Sequence, residues 1–187
     1  MKKITFIIVG MLCILNLSNA SAESEPLKIT IAVPSRDAKN GTEYQNHRIN
    51  LHRKGTHFHV VITNVSDKPQ RIWETWNSWG WYNLTFNMLD NRGNTLYTLK
   101  KKPRGWSKNF PSFIRLNPGE CFIIDVYLKR SDWELPFLGK KREGDFEINL
   151  KAVYEIPQDD ETKKNGIWTG KIESATGKYT LNYYKNN

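Results

Sequence analysis

The sequence predicts an all-β fold, specifically a two-sheet antiparallel β-sandwich. Roughly eight to ten short segments alternate apolar and polar residues with the period of two that is typical of a half-buried strand. Turn signals separate these segments, for example Asn40-Gly41 and Asn117-Pro118-Gly119. No segment shows a helical period longer than two turns. Short strands with turns between them favour a sandwich, and a closed barrel is the second choice.

Alternation places each predicted strand in order. Leu27, Ile29 and Ile31 share one face of the first strand, and a long later strand has apolar residues at every second position from Phe146 to Tyr154. The segments 129–144 and 157–166 are charged and are predicted as loops. The predicted strands are 27–33, 56–65, 72–76, 82–89, 95–99, 112–116, 120–128, 145–156, 167–174 and 178–184, and 48–53 is a further short candidate.

The first residues have the composition of an export signal. Lys2 and Lys3 precede an apolar run, and the small residues ASA (20–22) supply a cleavage site. We therefore expect a signal peptide at 1–22, a single domain at 23–187, and a periplasmic or secreted protein. An uncleaved membrane anchor is the alternative, although the apolar run is short for a membrane span.

The charge balance is positive. The whole chain carries a formal net charge of +9, and removal of 1–22 leaves 26 basic and 19 acidic residues, or +7, over 165 residues. Such a balance favours acidic partners, namely anionic polysaccharide, lipid headgroups or nucleic acid. Plain solubility explains the same charge without a partner.

Cysteine usage excludes an internal disulfide in the exported chain. Cys13 would leave with the signal, so Cys121 would be alone. Cys121 begins an apolar strand-like run, and we expect it to be buried as a small hydrophobic residue. A catalytic thiol is the alternative.

Several segments resemble bacterial immunoglobulin-like domains. They are FHVVITNVSDKP (58–69), NMLDNRGN (87–94), LNPGE (116–120) and GDFEI (144–148), and their order is similar to that of the intracellular proteinase inhibitor type of bacilli. The segments WNSWG (76–80) and WTGKIES (168–174) also resemble exported bacterial proteins of unknown function. The resemblance covers roughly 56–156 and implies an Ig-like sandwich. It also implies a protease inhibitor that inserts a loop into a protease, with 132–140 as the candidate loop.

Catalytic and metal signals are few. The chain contains no Gly-x-Ser-x-Gly, no His-Glu-x-x-His and no phosphate-binding glycine loop, and the acidic group at 159–161 has the composition of a solvated turn. His57 and His59 lie two apart on a predicted strand and could offer two ligands to zinc or copper, with His52 or His47 as a third. A solvated strand face explains the pair equally well. We predict no enzyme and no cofactor.

Two segments combine rings and cations. The segment 73–82 holds four of the seven Trp residues and is predicted to anchor the packing of the domain. The segment 100–111 carries five basic residues, no acid, and two interleaved rings. Cations that hold an anionic chain and rings that stack on sugars or bases together make a polyanion site. The candidate ligand-binding residues are Trp79, Trp81, Lys101, Lys102, Arg104, Trp106 and Phe110.

Two alternatives that involve no ligand stay open. The Trp cluster can be a core and corner cluster, and the basic loop can be a solvated hairpin end whose Trp106 folds back on that cluster. The function that we predict is an exported, monomeric, non-enzymatic binding module for anionic polysaccharide or an envelope protein. The alternatives are the loop-directed protease inhibitor and a structural module that adds its edge strand to a partner.

Overall fold

A computed structural model of the chain describes residues 25–33, 47–51, 57–139 and 144–183. The predicted signal peptide and His52 lie outside these residues. Strands dominate the described part. They are β1 (Leu27–Ala32), β2 (Arg48–Asn50), β3 (Phe58–Asn64), β4 (Gln70–Trp73), β5 (Leu84–Leu89), β6 (Thr95–Lys101), β7 (Phe113–Leu116), β8 (Cys121–Val126), β9 (Trp133–Glu134), β10 (Gly144–Ile156), β11 (Gly170–Glu173) and β12 (Gly177–Tyr183).

The strands form two main sheets that enclose the core. One sheet has the order β1-β3-β8, and the other has the order β2-β12-β10-β5-β6-β9, with β11 beside β10. All pairs are antiparallel except β2 with β12, and β4 and β7 form a separate two-stranded ribbon. The orders β1-β3-β8 and β12-β10-β5 correspond to A-B-E and G-F-C of an Ig-like sandwich. The all-β sandwich predicted from the sequence is therefore confirmed.

The period of two in the sequence produces the core. On β3, Phe58, Val60 and Ile62 are fully buried, whereas the residues between them are partly exposed. The Phe58 ring meets the Phe86 ring of β5 edge to face, with centroids 5.2 Å apart. Complete burial of such a side chain contributes about 1.5–3 kcal/mol. This contact therefore joins the two sheets at the centre of the core.

The segment 157–166 contains a helix where the sequence analysis expects only a loop. Helix α1 (Asp160–Asn165) begins at a capping box in which the Asp159 carboxylate accepts from the Thr162 amide at 2.7 Å. It ends at Gly166, which adopts the left-handed conformation with φ 61°. Six residues are too few to show a helical period, so only the caps could have revealed this helix. No helix in the described ranges is long and apolar enough to span a membrane.

The prediction for Cys121 is wrong, because its side chain is exposed. β8 alternates, with Ile124 and Val126 buried and Cys121, Ile123 and Asp125 outside. Ile123 is 55% exposed although it belongs to the apolar run that suggested burial. Because both faces of this strand carry apolar residues, the sequence does not show which face is buried. The register with β3 decides which residues face outward.

Candidate ligand-binding site

The Trp-rich segment 73–82 divides between the core and the surface. Trp73 ends β4 and is fully buried, and the Trp79 ring packs against it with centroids 5.9 Å apart. Trp76 lies in the turn after β4 and is 73% exposed. The predicted strand 72–76 is therefore placed too late in the chain, since β4 begins at Gln70 and ends at Trp73. Trp79 contributes to the packing around Trp73, as the core-and-corner alternative expects.

Asn77 and Gly80 give the loop after Trp76 its shape. The Asn77 side-chain oxygen accepts from the Gly80 amide at 2.9 Å, and its backbone oxygen accepts from the Trp81 amide at 3.0 Å. A Cβ atom at Gly80 would stand 1.9 Å from the backbone oxygen of Glu74. Only glycine fits this position, because real Cβ atoms do not approach backbone oxygens so closely. This tight turn places Trp81 beside the basic loop.

Polar side chains join the loop 74–83 to the loop 102–112. The Ser78 amide donates to the Asn109 side-chain oxygen at 2.9 Å, and the Asn109 amide nitrogen donates to Ser78 Oγ at 2.6 Å. Asn77 Nδ2 donates to the backbone oxygen of Ser112 at 2.9 Å. These bonds hold together the two loops that the sequence analysis assigned to one site.

Where the two loops meet, two cations pack against three indole rings, and we call this set the cation–indole stack. The Lys101 ammonium lies 4.3 Å from the ring centroid of Trp133 and 4.1 Å from that of Trp81. The Arg104 guanidinium lies 5.1 Å from both Trp81 and Trp106. The Trp81 and Trp106 rings also contact each other edge to face, with centroids 5.9 Å apart, so Arg104 lies beside this pair of rings. Trp133 is fully buried and Arg104 is exposed.

Lys101 is the unusual charge of the stack. Burial lowers the pKa of its ammonium to about 8, Asp132 acts in the opposite direction, and Arg104 lowers the pKa further. The two indole faces attract the charged form, because their π-electrons carry negative charge toward the cation. Lys101 therefore supports the stack from within, and Arg104 is the cation that the stack presents to solvent.

Lys102 connects the stack to a second basic segment that the sequence analysis left out of the site. Its ammonium donates to the backbone oxygen of Arg130 at 2.6 Å, and its backbone amide donates to the backbone oxygen of Asp132 at 2.8 Å. The backbone of this segment lies beside the basic loop, whereas the Arg130 guanidinium donates to the Tyr183 hydroxyl at 3.2 Å and the Lys129 ammonium lies 4.5 Å from the Tyr127 ring. The pairing of β6 with β9 brings this backbone there. In the sequence, the adjacent pair Lys129-Arg130 was the only indication of this second basic segment.

The structure unites five of the seven predicted site residues. Trp81, Lys101, Arg104 and Trp106 belong to the stack, and the Lys102 backbone oxygen accepts from the Trp81 indole nitrogen at 3.1 Å. Trp106 packs edge to face on Trp81, with centroids 5.9 Å apart, and is partly exposed. The other two, Trp79 and Phe110, take no part in the ring contacts of the stack among the described residues. Trp79 packs on Trp73, and Phe110 is 75% exposed.

The two histidines proposed as metal ligands do not share a face. His57 is buried ahead of β3, where its Nδ1 accepts from the Leu128 amide at 3.3 Å. His59 lies on the outer face of the sheet, and its Nδ1 is 2.7 Å from the Asp125 carboxylate. Within the described ranges, no three His, Cys, Asp or Glu side chains come close enough to hold a metal ion.

The segment proposed as an inhibitory loop is folded into the domain over its described part, 132–139. It contains β9 and a 3-10 helix (Pro136–Gly139). The side chains of Trp133, Phe137 and Leu138 are buried in the core. A loop that enters a protease cleft has to present its side chains to the protease, and these three face inward.

Comparisons with known proteins give no relative for this chain. No family model matches it, and neither a curated protein nor a solved structure matches it. The likeness to the proteinase inhibitor type of bacilli thus rests on the turn motifs of the sequence alone.

Proposed function

We propose that this chain is an exported, non-enzymatic binding module whose ligand is an anionic polysaccharide. The observation that carries the proposal is the contact of Arg104 with the rings of both Trp81 and Trp106, 5.1 Å from each. A sugar polymer with carboxylate or sulfate groups needs cations for its charges and flat apolar surfaces for its rings. This surface offers both within one side chain's length.

Two acidic residues lie near the stack, but the basic residues of the segment 100–104 outnumber them. Glu134 pairs with Lys100 at 3.4 Å. Burial lowers the pKa of the Lys101 ammonium, and Asp132 lies close enough to offset part of that lowering. Lys102 and Arg104 add positive charge to the same region. Because exposed charges act through water, they guide an anionic chain to the surface, and the rings then supply contact area.

Calorimetric titration with an oligogalacturonate at low and at physiological ionic strength tests the proposal. We expect binding that weakens as salt rises, because salt screens exposed charges over a Debye length of about 8 Å at physiological ionic strength. Absence of binding at low salt would refute a polyanion site. A binding affinity that does not change with salt would exclude the basic surface as the site. It would point to the exposed rings of the Trp-rich segment instead.

Protease inhibition is the function that the sequence resemblance implies, and no contact in the described residues favours it over binding. Titration of serine and cysteine proteases with the purified chain separates the two functions. Stoichiometric loss of protease activity would support inhibition and count against the binding module.

A further inference from the structure

A cleft of about 440 Å³ opens beside the cation–indole stack, on the outer side of β5 and β10. It lies between the Trp-rich segment and the start of α1. The residues that decide its chemistry are Trp79, Tyr82, Thr85, Glu155 and Asp159. None of the described residues that line it is Lys or Arg. The cleft is therefore aromatic and acidic, in contrast to the basic stack next to it.

Tyr82 forms the border between the cleft and the stack. Its ring lines the cleft and is 45% exposed, and its hydroxyl accepts from the Arg104 amide at 3.3 Å. Tyr82 also directly follows Trp81, whose ring belongs to the stack. A ligand that extends past Tyr82 can therefore contact both surfaces at once.

The chemistry of the cleft selects against negative charge. Glu155 is exposed, and Lys171, its register partner on β11, directs its ammonium to Glu173 at 3.0 Å. Glu173 is the main cause of the raised pKa of Lys171, and the charge of Glu155 contributes to it. The Asp159 carboxylate is engaged with the Thr162 amide at 2.7 Å. Two carboxylates would repel a uronate, but they can accept hydrogen bonds from hydroxyl or amide groups. The rings of Trp79 and Tyr82 suit the apolar face of a hexose.

We propose that the cleft is a subsite for a neutral hexose or N-acetylhexosamine, and that the stack holds the adjoining uronate. The ligand is then a heteropolysaccharide in which acidic and neutral sugars alternate. This inference rests on the proposed function and makes it more specific, because a polymer of uronates alone would fill the stack but not the cleft.

Two oligosaccharide probes with equal numbers of carboxylates test the inference by calorimetry. One is a hyaluronan oligosaccharide, in which glucuronate alternates with N-acetylglucosamine, and the other is an oligogalacturonate. We expect hyaluronan to bind about tenfold more tightly, which corresponds to one additional hydrogen bond to a charged group.

Glu155→Gln isolates the cleft, with Glu147→Gln as its matched control. Both glutamates are exposed on the outer face of β10, and both changes remove one negative charge. Long-range electrostatics predicts that either change slightly strengthens the binding of an anionic probe. The subsite predicts that Glu155→Gln weakens hyaluronan binding, by up to about tenfold, and spares oligogalacturonate. Thr85→Val, an isosteric loss of one hydroxyl in the cleft, should act in the same direction, and thermal melting of each variant verifies folding.

The outcomes separate the subsite from the function on which it rests. Equal affinities for the two probes, with Glu155→Gln indistinguishable from Glu147→Gln, would overturn the subsite and leave the polyanion site in place. Absence of binding for both probes at low salt would overturn the proposed function together with the subsite.

Discussion

The Lys101 ammonium lies 4.1 Å from the centre of the Trp81 ring, so an indole covers a cation that the sequence places in a basic loop. Trp133 covers the same ammonium from the other side at 4.3 Å. The two contacts turn Lys101 into part of the packing of the domain. They also fix Trp81 as the platform on which Arg104 rests.

Replacement of Lys101 by Met should change how stability depends on pH. Burial lowers the pKa of Lys101 to about 8 from an ordinary value of 10.5. Between these two values the unfolded chain holds a proton that the folded protein has released, so this group makes stability rise as pH rises. Below pH 8 both states are protonated and the contribution is constant.

Denaturant unfolding of the wild type and Lys101→Met from pH 7 to pH 10.5 measures this effect. The difference between the two proteins removes the contribution of every other titratable group, because the two proteins share them. The free energy of unfolding of the wild type should rise relative to that of the variant. A constant difference would mean that the indole rings hold Lys101 charged throughout.

Replacement of Arg104 by Ser should weaken binding of an oligogalacturonate and flatten its salt dependence. The change removes the cation that the stack presents to solvent, while the loss of its ring contacts should cost stability only about 0.5–1 kcal/mol for an exposed cation–π pair. Arg92→Ser is the matched control, since it removes the same charge from the exposed turn after β5. Equal effects of the two changes would indicate a general charge effect instead of a site.

Replacement of Trp106 by Ala should lower both stability and affinity. The edge-to-face contact with Trp81 contributes about 0.5–1.5 kcal/mol beyond its buried area. The Trp106 ring is partly exposed, and its solvent-facing part is available to a sugar ring. Thermal melting and calorimetry measure the two effects separately.

Trp76→Ala serves as the control for Trp106→Ala. Trp76 is 73% exposed, lies outside the stack, and donates its indole N–H to Glu74 at 2.9 Å. Its loss should leave the affinity for an oligogalacturonate unchanged. Weaker binding for this variant would move the site toward the Trp-rich turn.

Cys121 should react rapidly with a thiol reagent in the native protein. Its side chain is exposed on the outer face of β8, so access does not require unfolding. Cys121→Ser should change the free energy of unfolding by no more than about 0.5 kcal/mol, as is usual at exposed positions. Labelling that becomes rapid only in denaturant would show that the thiol is covered.

Replacement of Gly80 by Ala should cost about 1–3 kcal/mol, the usual range for overpacking. The added methyl group would collide with the backbone oxygen of Glu74, which belongs to the same turn and cannot move independently. Gly105→Ala is the control, because a Cβ there meets no atom within 4 Å. Denaturant unfolding should show a loss for the first variant and little change for the second.

The sequence by itself determined the strands whose two faces differ. On β3 and β10 the apolar residues recur at every second position, and the same residues form the core. Turn chemistry placed the strand ends as well, for example at Gly93 and Gly119, which both have positive φ. These features are local, because a strand's alternation and a turn's backbone geometry need no distant partner.

Tertiary structure decided which rings and cations meet. Trp133 reaches Lys101 only because β6 pairs with β9, and Lys102 bonds Arg130 for the same reason. Trp79 had equally plausible inward and outward orientations in the sequence, whereas Cys121 was wrongly predicted to face inward. The packing on Trp73 and the register with β3 decided the two orientations. The period of two in the sequence shows which face of a strand is apolar. It does not show which other strand pairs with that strand. Pairing register supplies that information, since a shift of one residue reverses the face of every side chain in a strand.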